Sequence, residues 1–488
     1  MSARLSNSAL SRLPDSVERP RYDRAATTAG IVHLGLGAFH RAHQAVFVDD
    51  CLNAGEAGWG IVGTSLRSPD TRDALAPQDG LFTLSVVDGS GERLRVIGSI
   101  ASILIAPEDP GKLLRVLTDP AIRIVTLTVT EKAYLRDPSG ALDMSHADIA
   151  WDLANPGQPK TVHGFLAEAI ARRRATGTRP FTVLSCDNLP ANGATLKRLL
   201  LAYARKRDDE LAAFIEQEVA FPSSMVDRIV PATTETDRER ISAALGASDA
   251  WPVTTEPFLQ WVIEDHFPAG RPAWESFGVE MVKDVAPFED MKLRLLNGAH
   301  SAIAYLGLLM GKETVSDAFA DPLIRTFVSR LWAEAIPSLP TGVGLRPAAY
   351  TEQLATRYDN PALKHRIAQI ANDGSQKLPQ RIIATSLTRL ESGGDVRHLL
   401  MVPAAWIAAA EARGKALPAS HFSDPLDSGL DEVFARGGGA GETVRAVFDL
   451  AGFGAGSPHL DQIIEVAAGH FERLRRSGAA ATLEEWLA

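Results

Sequence analysis

Residues 30–37, "GIVHLGLG", are apolar without alternation and end in a glycine turn, the pattern of a short strand buried on both faces. The following "AFHRAHQAVFVDDCLNAG" carries apolar positions at helical spacing, and "WGIVGTSL" (59–66) predicts the next strand. Strand, glycine turn, helix, strand is the opening of a parallel sheet with right-handed crossovers. Further strands are expected at 81–87 ("LFTLSVV"), 93–98 ("RLRVIG"), 122–130 ("IRIVTLTVT") and 181–186 ("FTVLSC"). A helix in "VHGFLAEAIARRRA" precedes the last of these, and "DNLPANGATLKRLLLAYARKR" leaves it through a turn into another helix. From Pro287 the texture changes: helical patterns cover 288–310, 314–335, 347–372 and 396–413, with few β-branched runs between them. "ARGGGAGE" (435–442) reads as a flexible loop. The pattern predicts an α/β domain elaborated beyond a minimal nucleotide-binding fold over 1–285, then a mainly α-helical domain over 286–488. The boundary falls near 280–287, where proline stands near a first helical turn.

Composition adds exclusions. A chain of 488 residues exceeds one ordinary hydrophobic core, which predicts two to three domains. Hydrophobic residues at 45% and charged residues at 23% are ordinary for a soluble globular protein. The formal net charge of −10 argues against a broad nucleic-acid-binding surface. Two cysteines, Cys51 and Cys186, make no CxxC spacing and no disulfide framework, which points to a reducing cytoplasmic setting. The N-terminus lacks the apolar core of a secretory signal, and no stretch is long and apolar enough to cross a bilayer. No obligate protein partner is expected.

Gly35 and Gly37 stand between the first strand and its helix. Gly35 can make the tight turn, and the bare backbone of Gly37 lets a pyrophosphate approach, with Ala38 and Phe39 next at the helix N-terminus. The usual third glycine is His40, so packing of Phe39, His40 and His43 must replace the close helix–sheet contact. Asp70 follows the second strand, where a carboxylate binds the adenosine ribose and favours NAD over NADP. Arg67 and Arg72 are near enough in sequence to accommodate a 2′-phosphate instead.

"FEDMKLRLLNGAH" (288–300) sets Glu289, Lys292, Asn297 and His300 in an apolar run. A helix advances roughly 100° per residue, so with Lys292 at zero Glu289, His300 and Asn297 fall at about 60°, 80° and 140°. All four face one arc, with Leu293 and Leu296 inside it. This suits metal-independent oxidation of an alcohol. A desolvated lysine takes the hydroxyl proton, asparagine amides donate to the developing alkoxide, histidine orients the hydroxyl, and Glu289 passes the proton outward. An ordinary polar stripe with a solvated lysine is the bland alternative.

Asn188, in "SCDNLPANG", sits where a strand ends and can pair with Asn297 on an oxyanion, or simply form a turn. Cys186 is expected to be an inert core thiol. Asp227 beside Arg228 reads as a site residue or a buried salt bridge. Lys377 and Arg381, in "NDGSQKLPQR", are a surface loop or an anion-binding rim. There is no HExxH, and the twelve histidines do not cluster at ligand spacing; His40 and His43 lack a third ligand, so no metal is expected. No G-x-S-x-G elbow suggests a serine hydrolase.

"GIVHLGLGAFHRAHQAVFVDD", "TLTVTEKAY", "FTVLSCDNLPANG", "FPSSMVDRIVPATT", "EPFLQWVIEDHF" and "FEDMKLRLLNGAHSAIAYLG" together resemble the successive motifs of the mannitol dehydrogenase family, long-chain, metal-independent polyol and aldonate dehydrogenases. The resemblance runs from about residue 28 past 400. It implies an N-terminal Rossmann-type NAD-binding domain, a mainly helical substrate-binding domain and a site in the cleft between them. By motif, Lys292 matches the general base, Asn188 and Asn297 the pair holding the reacting oxygen, His300 the orienting histidine and Glu289 the proton-exit acid. Asp227 and Lys377 match polar residues at the substrate end. Ala299 departs from the usual "NGSH".

Bacterial members acting on neutral mannitol carry arginine eight residues before the lysine matching Lys377; here Gln369 stands there. "LKHRIAQIANDGSQKLPQR" resembles fructuronate reductases, which interconvert D-mannonate and D-fructuronate, and Arg366, Lys377 and Arg381 are cations suited to a carboxylate. Mannitol 2-dehydrogenase or a broad polyol dehydrogenase is the alternative. A nucleotide-binding protein without chemistry is a remote one, resting on the incomplete glycine motif and Ala299.

Overall fold

A computed structural model describes residues 3–342, 344–417 and 422–487. The chain divides into two compact units, Met1–Ala286 and Pro287–Ala488.

The first unit is built on a five-stranded sheet: β1 (Ala29–Leu34), β2 (Gly60–Ser65), β3 (Ile100–Ile105), β4 (Ile124–Leu127) and β5 (Thr182–Ser185). The order is β3-β2-β1-β4-β5, and every pair is parallel. Each inner strand buries both faces. Val32, Leu34, Val125 and Leu127 pack with Phe165 and Leu196 on one side. Ile31, Ile61, Ile124 and Leu184 pack with Phe47 and Trp261 on the other. The strand order reverses between β1 and β4, and ligands of such sheets bind at the carboxyl ends of the strands at that point.

Three expectations change here. The strands foreseen at 81–87 and 93–98 exist as Phe82–Asp88 and Gly91–Ile97, but they pair antiparallel and join Val253–Thr255 in a separate sheet. The parallel sheet's third member is β3, an edge strand whose exposed Ala101 and Ser102 break the apolar run that would have announced it. The single helix after β1 is two, Ala38–Ala42 and Gln44–Asn53, broken at His43, which has φ −125° and ψ −91°. The His43 ring holds that break in place: it stacks on Phe39, meets Trp261 edge-on, and its Nε2 lies 2.8 Å from the Gln260 carbonyl.

The second unit is helical. Its central helix, Gly298–Leu309, buries Ala302, Ile303, Ala304, Leu306 and Leu308 and packs on Arg397–Ala412. The stretch 314–335 is two helices, the second opened by Pro322 with Asp321 capping Leu323 N–H at 3.1 Å. The stretch 347–372 keeps only Pro347–Tyr358 and Ile367–Ala371 as α-helix, because "DNPALKH" interposes a proline turn with Lys364 at φ +43°. The loop expected at 435–442 is shorter, since a helix begins at Ala440. Among the described residues no helix is long and apolar enough to cross a membrane.

Candidate active site

In the first unit the glycine turn follows β1. A Cβ at Gly35 would lie 2.2 Å from the Thr128 carbonyl oxygen, and its φ is +96°, so only glycine fits. A Cβ at Gly37 would meet nothing closer than the Gly35 oxygen at 3.8 Å. The first glycine is demanded by the protein; the second opens onto space a ligand can use. Gly37 is exposed, and Ala38 and Phe39 are half-buried beside it.

The missing third glycine has a structural substitute. His40 is fully buried, and its ring lies 3.4 Å from that of His33, nearly parallel. Burial holds His33 down to about 3 and, with the neighbouring His33, holds His40 well below the ordinary histidine range, so both rings are neutral. Neutral His33 then donates from Nε2 toward Thr128 Oγ1 (2.8 Å) and the Gly35 carbonyl (3.2 Å), and accepts at Nδ1 from Thr126 Oγ1 (2.8 Å). These bonds tie the turn after β1 to β4 and the loop beyond it. His33 escaped the sequence reading, although a histidine inside a doubly buried strand was its signal.

A cavity of about 980 Å³ lies at the carboxyl ends of β2, β3 and β4, lined by Leu66, Arg67, Ala106, Lys132, Trp151 and Lys160 among others. Arg67 lines it and Asp70 does not. Asp70 is exposed at the start of helix Asp70–Leu75, where its carboxylate accepts from Ser68 Oγ at 2.8 Å. Arg72 is paired with Asp73 and Glu108.

Asn188 is exposed just beyond β5, on a turn fixed from two sides. Asp187, buried, accepts from Tyr134 Oη (2.7 Å) and from Thr130 N–H (2.9 Å) and Val129 N–H (3.1 Å). Burial raises its pKa against those bonds. Asn192 donates to the Asp187 and Ser224 carbonyls at 3.0 and 2.7 Å. The sequence pattern marks neither Asp187 nor Asn192 as a site residue. Asp227 ends the strand Ser224–Asp227 and is buried. Arg228 gives its guanidinium to the carbonyls of Ala42 and Glu256. Cys186 is a buried free thiol pushed up by burial, in keeping with an inert core role.

In the second unit the stretch 288–300 is not one α-helix. A π turn occupies Lys292–Asn297, with Gly298 N–H reaching back to the Leu293 carbonyl. The uniform 100° step used for the arc therefore fails across these six residues. Glu289, Lys292, Asn297 and His300 are nevertheless all half-buried, while Leu295 and Leu296 are buried. Asp290 and Arg294 pair with each other at 3.0 Å, and Arg294 also donates to the Ser338 carbonyl.

His300 packs on Tyr358 (5.1 Å between centroids) and edge-on to His365 (5.5 Å). Burial first, then the charges of His365, Arg357, Arg381 and Lys292, hold it well below the ordinary histidine range. Its Nε2 is shielded from solvent and has no hydrogen-bond partner among the described residues. A neutral imidazole with a free ring nitrogen beside an amine is a place for a hydroxyl group.

Lys377 and Arg381 do not lie on a surface loop: Lys377 is on the short helix Gly374–Leu378 and Arg381 on the π turn that follows it, in a closely packed segment. Asp373 sits at φ +56°, and a Cβ on Gly374 would clash with Trp406 Nε1 at 2.4 Å and Tyr305 Oη at 2.5 Å. Lys377 donates to the Asn372 carbonyl at 2.6 Å. Arg381, on a second π turn (Pro379–Ile383), reaches Ser301 Oγ at 3.3 Å and the Asn297 carbonyl at 3.4 Å. Arg366 and Gln369 are exposed. Among the described residues no group of three or more His, Cys, Asp or Glu side chains is placed to hold a metal.

A parallel sheet in this order, with its glycine turn at the switch point, defines a Rossmann-type nucleotide-binding protein. Residues 29–276 match the mannitol dehydrogenase Rossmann domain, and residues 284–474 the mannitol dehydrogenase C-terminal domain. The chain belongs to the mannitol dehydrogenase family of oxidoreductases. It is 44% identical over 395 residues to mannitol 2-dehydrogenase of Cereibacter sphaeroides, covering 80% of this chain and 83% of that one. It is 40% identical over 477 residues to D-mannonate oxidoreductase of Escherichia coli (strain K12), covering 96% and 97%. Among solved structures, the ternary complex of Pseudomonas fluorescens mannitol 2-dehydrogenase with NAD and D-mannitol superposes with a TM-score of 0.86 at 38% identity, covering 99% of each chain.

Proposed function

We propose that this chain is an NAD-dependent secondary-alcohol oxidoreductase that interconverts D-mannonate and D-fructuronate without a metal, with Lys292 as its acid and base. The observation that carries the reading is the environment of His300: a neutral imidazole with a shielded, unbonded Nε2 among the positive charges of Lys292, Arg357 and Arg381. Such a neighbourhood suits a hydroxylated substrate bearing a carboxylate.

NAD fits the residues present, because the position a Cβ would fill at Gly37 is open. Gly35, Gly37, Ala38 and Phe39 would hold the pyrophosphate, and Asp70 the adenosine ribose. When bound, NAD supplies the hydride acceptor. Lys292 takes the hydroxyl proton during oxidation and returns it during reduction. The amides of Asn188 and Asn297 donate to the oxygen as charge develops on it. His300 holds the neighbouring hydroxyl, and Glu289 relays the proton to solvent. Asp227, Arg366, Gln369, Lys377 and Arg381 contact the rest of the substrate.

The second reading, oxidation of a neutral polyol such as D-mannitol to D-fructose, is favoured by one fact. Lys377 and Arg381 already donate to the protein's own carbonyls, which leaves fewer of their donors for a carboxylate. A side-by-side assay of NAD reduction with D-mannonate and D-mannitol at matched concentrations separates the two. Preference for D-mannonate is expected, and a strong preference for D-mannitol overturns the aldonate assignment. Lys292→Ala should slow turnover by orders of magnitude while NADH still binds; near-normal turnover in that variant removes Lys292 from its role.

A further inference from the structure

The π turn at Lys292–Asn297 carries two proposed catalytic side chains, Lys292 and Asn297, and leads directly to a third, His300. A π turn holds one residue more than the α-helix allows, is uncommon, and occurs often at functional sites. Support is present on three successive carbonyls. Leu295 O accepts from Trp332 Nε1 at 2.9 Å, and Leu296 O accepts from Tyr358 Oη at 3.1 Å. Asn297 O accepts from Ser301 Oγ at 3.2 Å and lies 3.4 Å from Arg381 Nη1. Trp332 and Tyr358 are both buried, their rings stack 6.2 Å apart, and Tyr358 also packs on the His300 ring.

We propose that Trp332 and Tyr358 are positioning residues for the reaction: their hydrogen bonds hold the π turn and so fix Asn297 and His300 in rotation relative to Lys292. The inference rests on the reading of Lys292 as the base. Removing the two donors lets the turn relax toward α-helical register. One residue of register corresponds to about 100° of rotation, so even a small part of that relaxation shifts Asn297 and His300 by about an ångström relative to Lys292.

Trp332→Phe and Tyr358→Phe keep the aromatic bulk and delete only the donors. The experiment uses the full chain with NAD and the better of D-mannonate and D-mannitol, with that substrate also deuterated at the carbon oxidised. In the double variant kcat should fall by about tenfold to a hundredfold, the scale expected when reacting groups shift by about an ångström. NADH affinity should stay within about twofold, substrate KM should rise because Asn297 and His300 hold the substrate less well, and the deuterium isotope effect on kcat should rise because the chemical step has become slower. Active sites are counted by NADH binding. A loss that only follows the number of active sites, with an unchanged isotope effect, makes these residues structural and overturns the proposal; so does an unchanged kcat. If the double variant does not fold, each single variant carries the same test. Lys292→Ala is run in parallel. Normal turnover there defeats the underlying reading, whereas its collapse beside an unaffected double variant defeats the clamp alone.

Discussion

The imidazole of His40 lies face to face on that of His33, 3.4 Å away and tilted by only 15°. One histidine comes from the buried centre of β1 and the other from the helix that follows the glycine turn. The close approach that a third glycine gives to most dinucleotide folds is replaced here by two stacked neutral rings. The turn is held by contact, where the usual motif relies on the absence of a side chain.

Restoring the textual motif should therefore harm the protein. His40→Gly uncovers the His33 ring and leaves a cavity in a buried layer, a loss of about 2–4 kcal/mol by analogy with large-to-small core changes. Thermal unfolding checks this. An unchanged or raised Tm for the glycine variant means that the stack contributes nothing.

Gly35→Ala and Gly37→Ala should behave differently. The first must move the Thr128 carbonyl and lowers both Tm and NADH affinity. The second has room for its methyl group in the free protein and a negative φ, so Tm should stay within about a degree, since a surface change of this kind is typically within about 0.5 kcal/mol. NADH binding should nonetheless weaken by about tenfold or more, because the methyl occupies the approach to the pyrophosphate. Fluorescence titration with NADH decides it, and unaltered affinity in Gly37→Ala would remove that residue from the cofactor site.

Stability should fall as the solution is acidified from about pH 6.5. Burial holds His33 at about 3 and both His163 and His470 at about 4, below the ordinary histidine value of 6.5. The unfolded chain then binds protons that the folded chain refuses. Each such histidine therefore contributes stability that is present above about pH 6.5 and is lost downward toward its folded value, at about 1.4 kcal/mol per pH unit. Unfolding free energies between pH 7.5 and 5 test the slope. His163→Gln should flatten it, and a curve level over that range in the parent chain contradicts the assignment.

Carboxylate recognition has its own test in Arg366 and Arg381. Arg381→Gln also removes a donor from the Asn297 carbonyl, so it should slow both D-mannonate and D-mannitol. Arg366 is exposed, and Arg366→Gln should raise KM for D-mannonate several-fold while leaving D-mannitol unaffected. Equal losses with both substrates in the Arg366 variant would exclude it from binding the carboxylate.

Periodicity made the two kinds of domain legible because doubly buried strands and amphipathic helices differ so plainly in spacing. It failed at β3, whose edge position leaves Ala101 and Ser102 exposed, and at His43, where tertiary contacts with Phe39 and Trp261 break a helix that local pattern would continue. The polar residues at 289–300 announced a candidate site, but the π turn beneath them did not show. Its extra residue is stabilised by Trp332 and Tyr358, which are distant in sequence and read as ordinary core aromatics. Asp187 was hidden for a related reason: beside Asn188 it looks like part of a turn, and only the fold brings Tyr134 and the loop after β4 to it.

The segment from Asp373 to Lys377 takes its shape from Trp406 and Tyr305, which leave Gly374 no room for a side chain. Exposed neighbours such as Arg366 and Gln369 take no part in that constraint. On the proposed role of Arg366 and Gln369 in contacting the substrate, preference for one sugar over another would drift through single exchanges at these outer positions while the backbone beneath stays put, which makes them the first positions to vary when redirecting the enzyme to new polyols or acids.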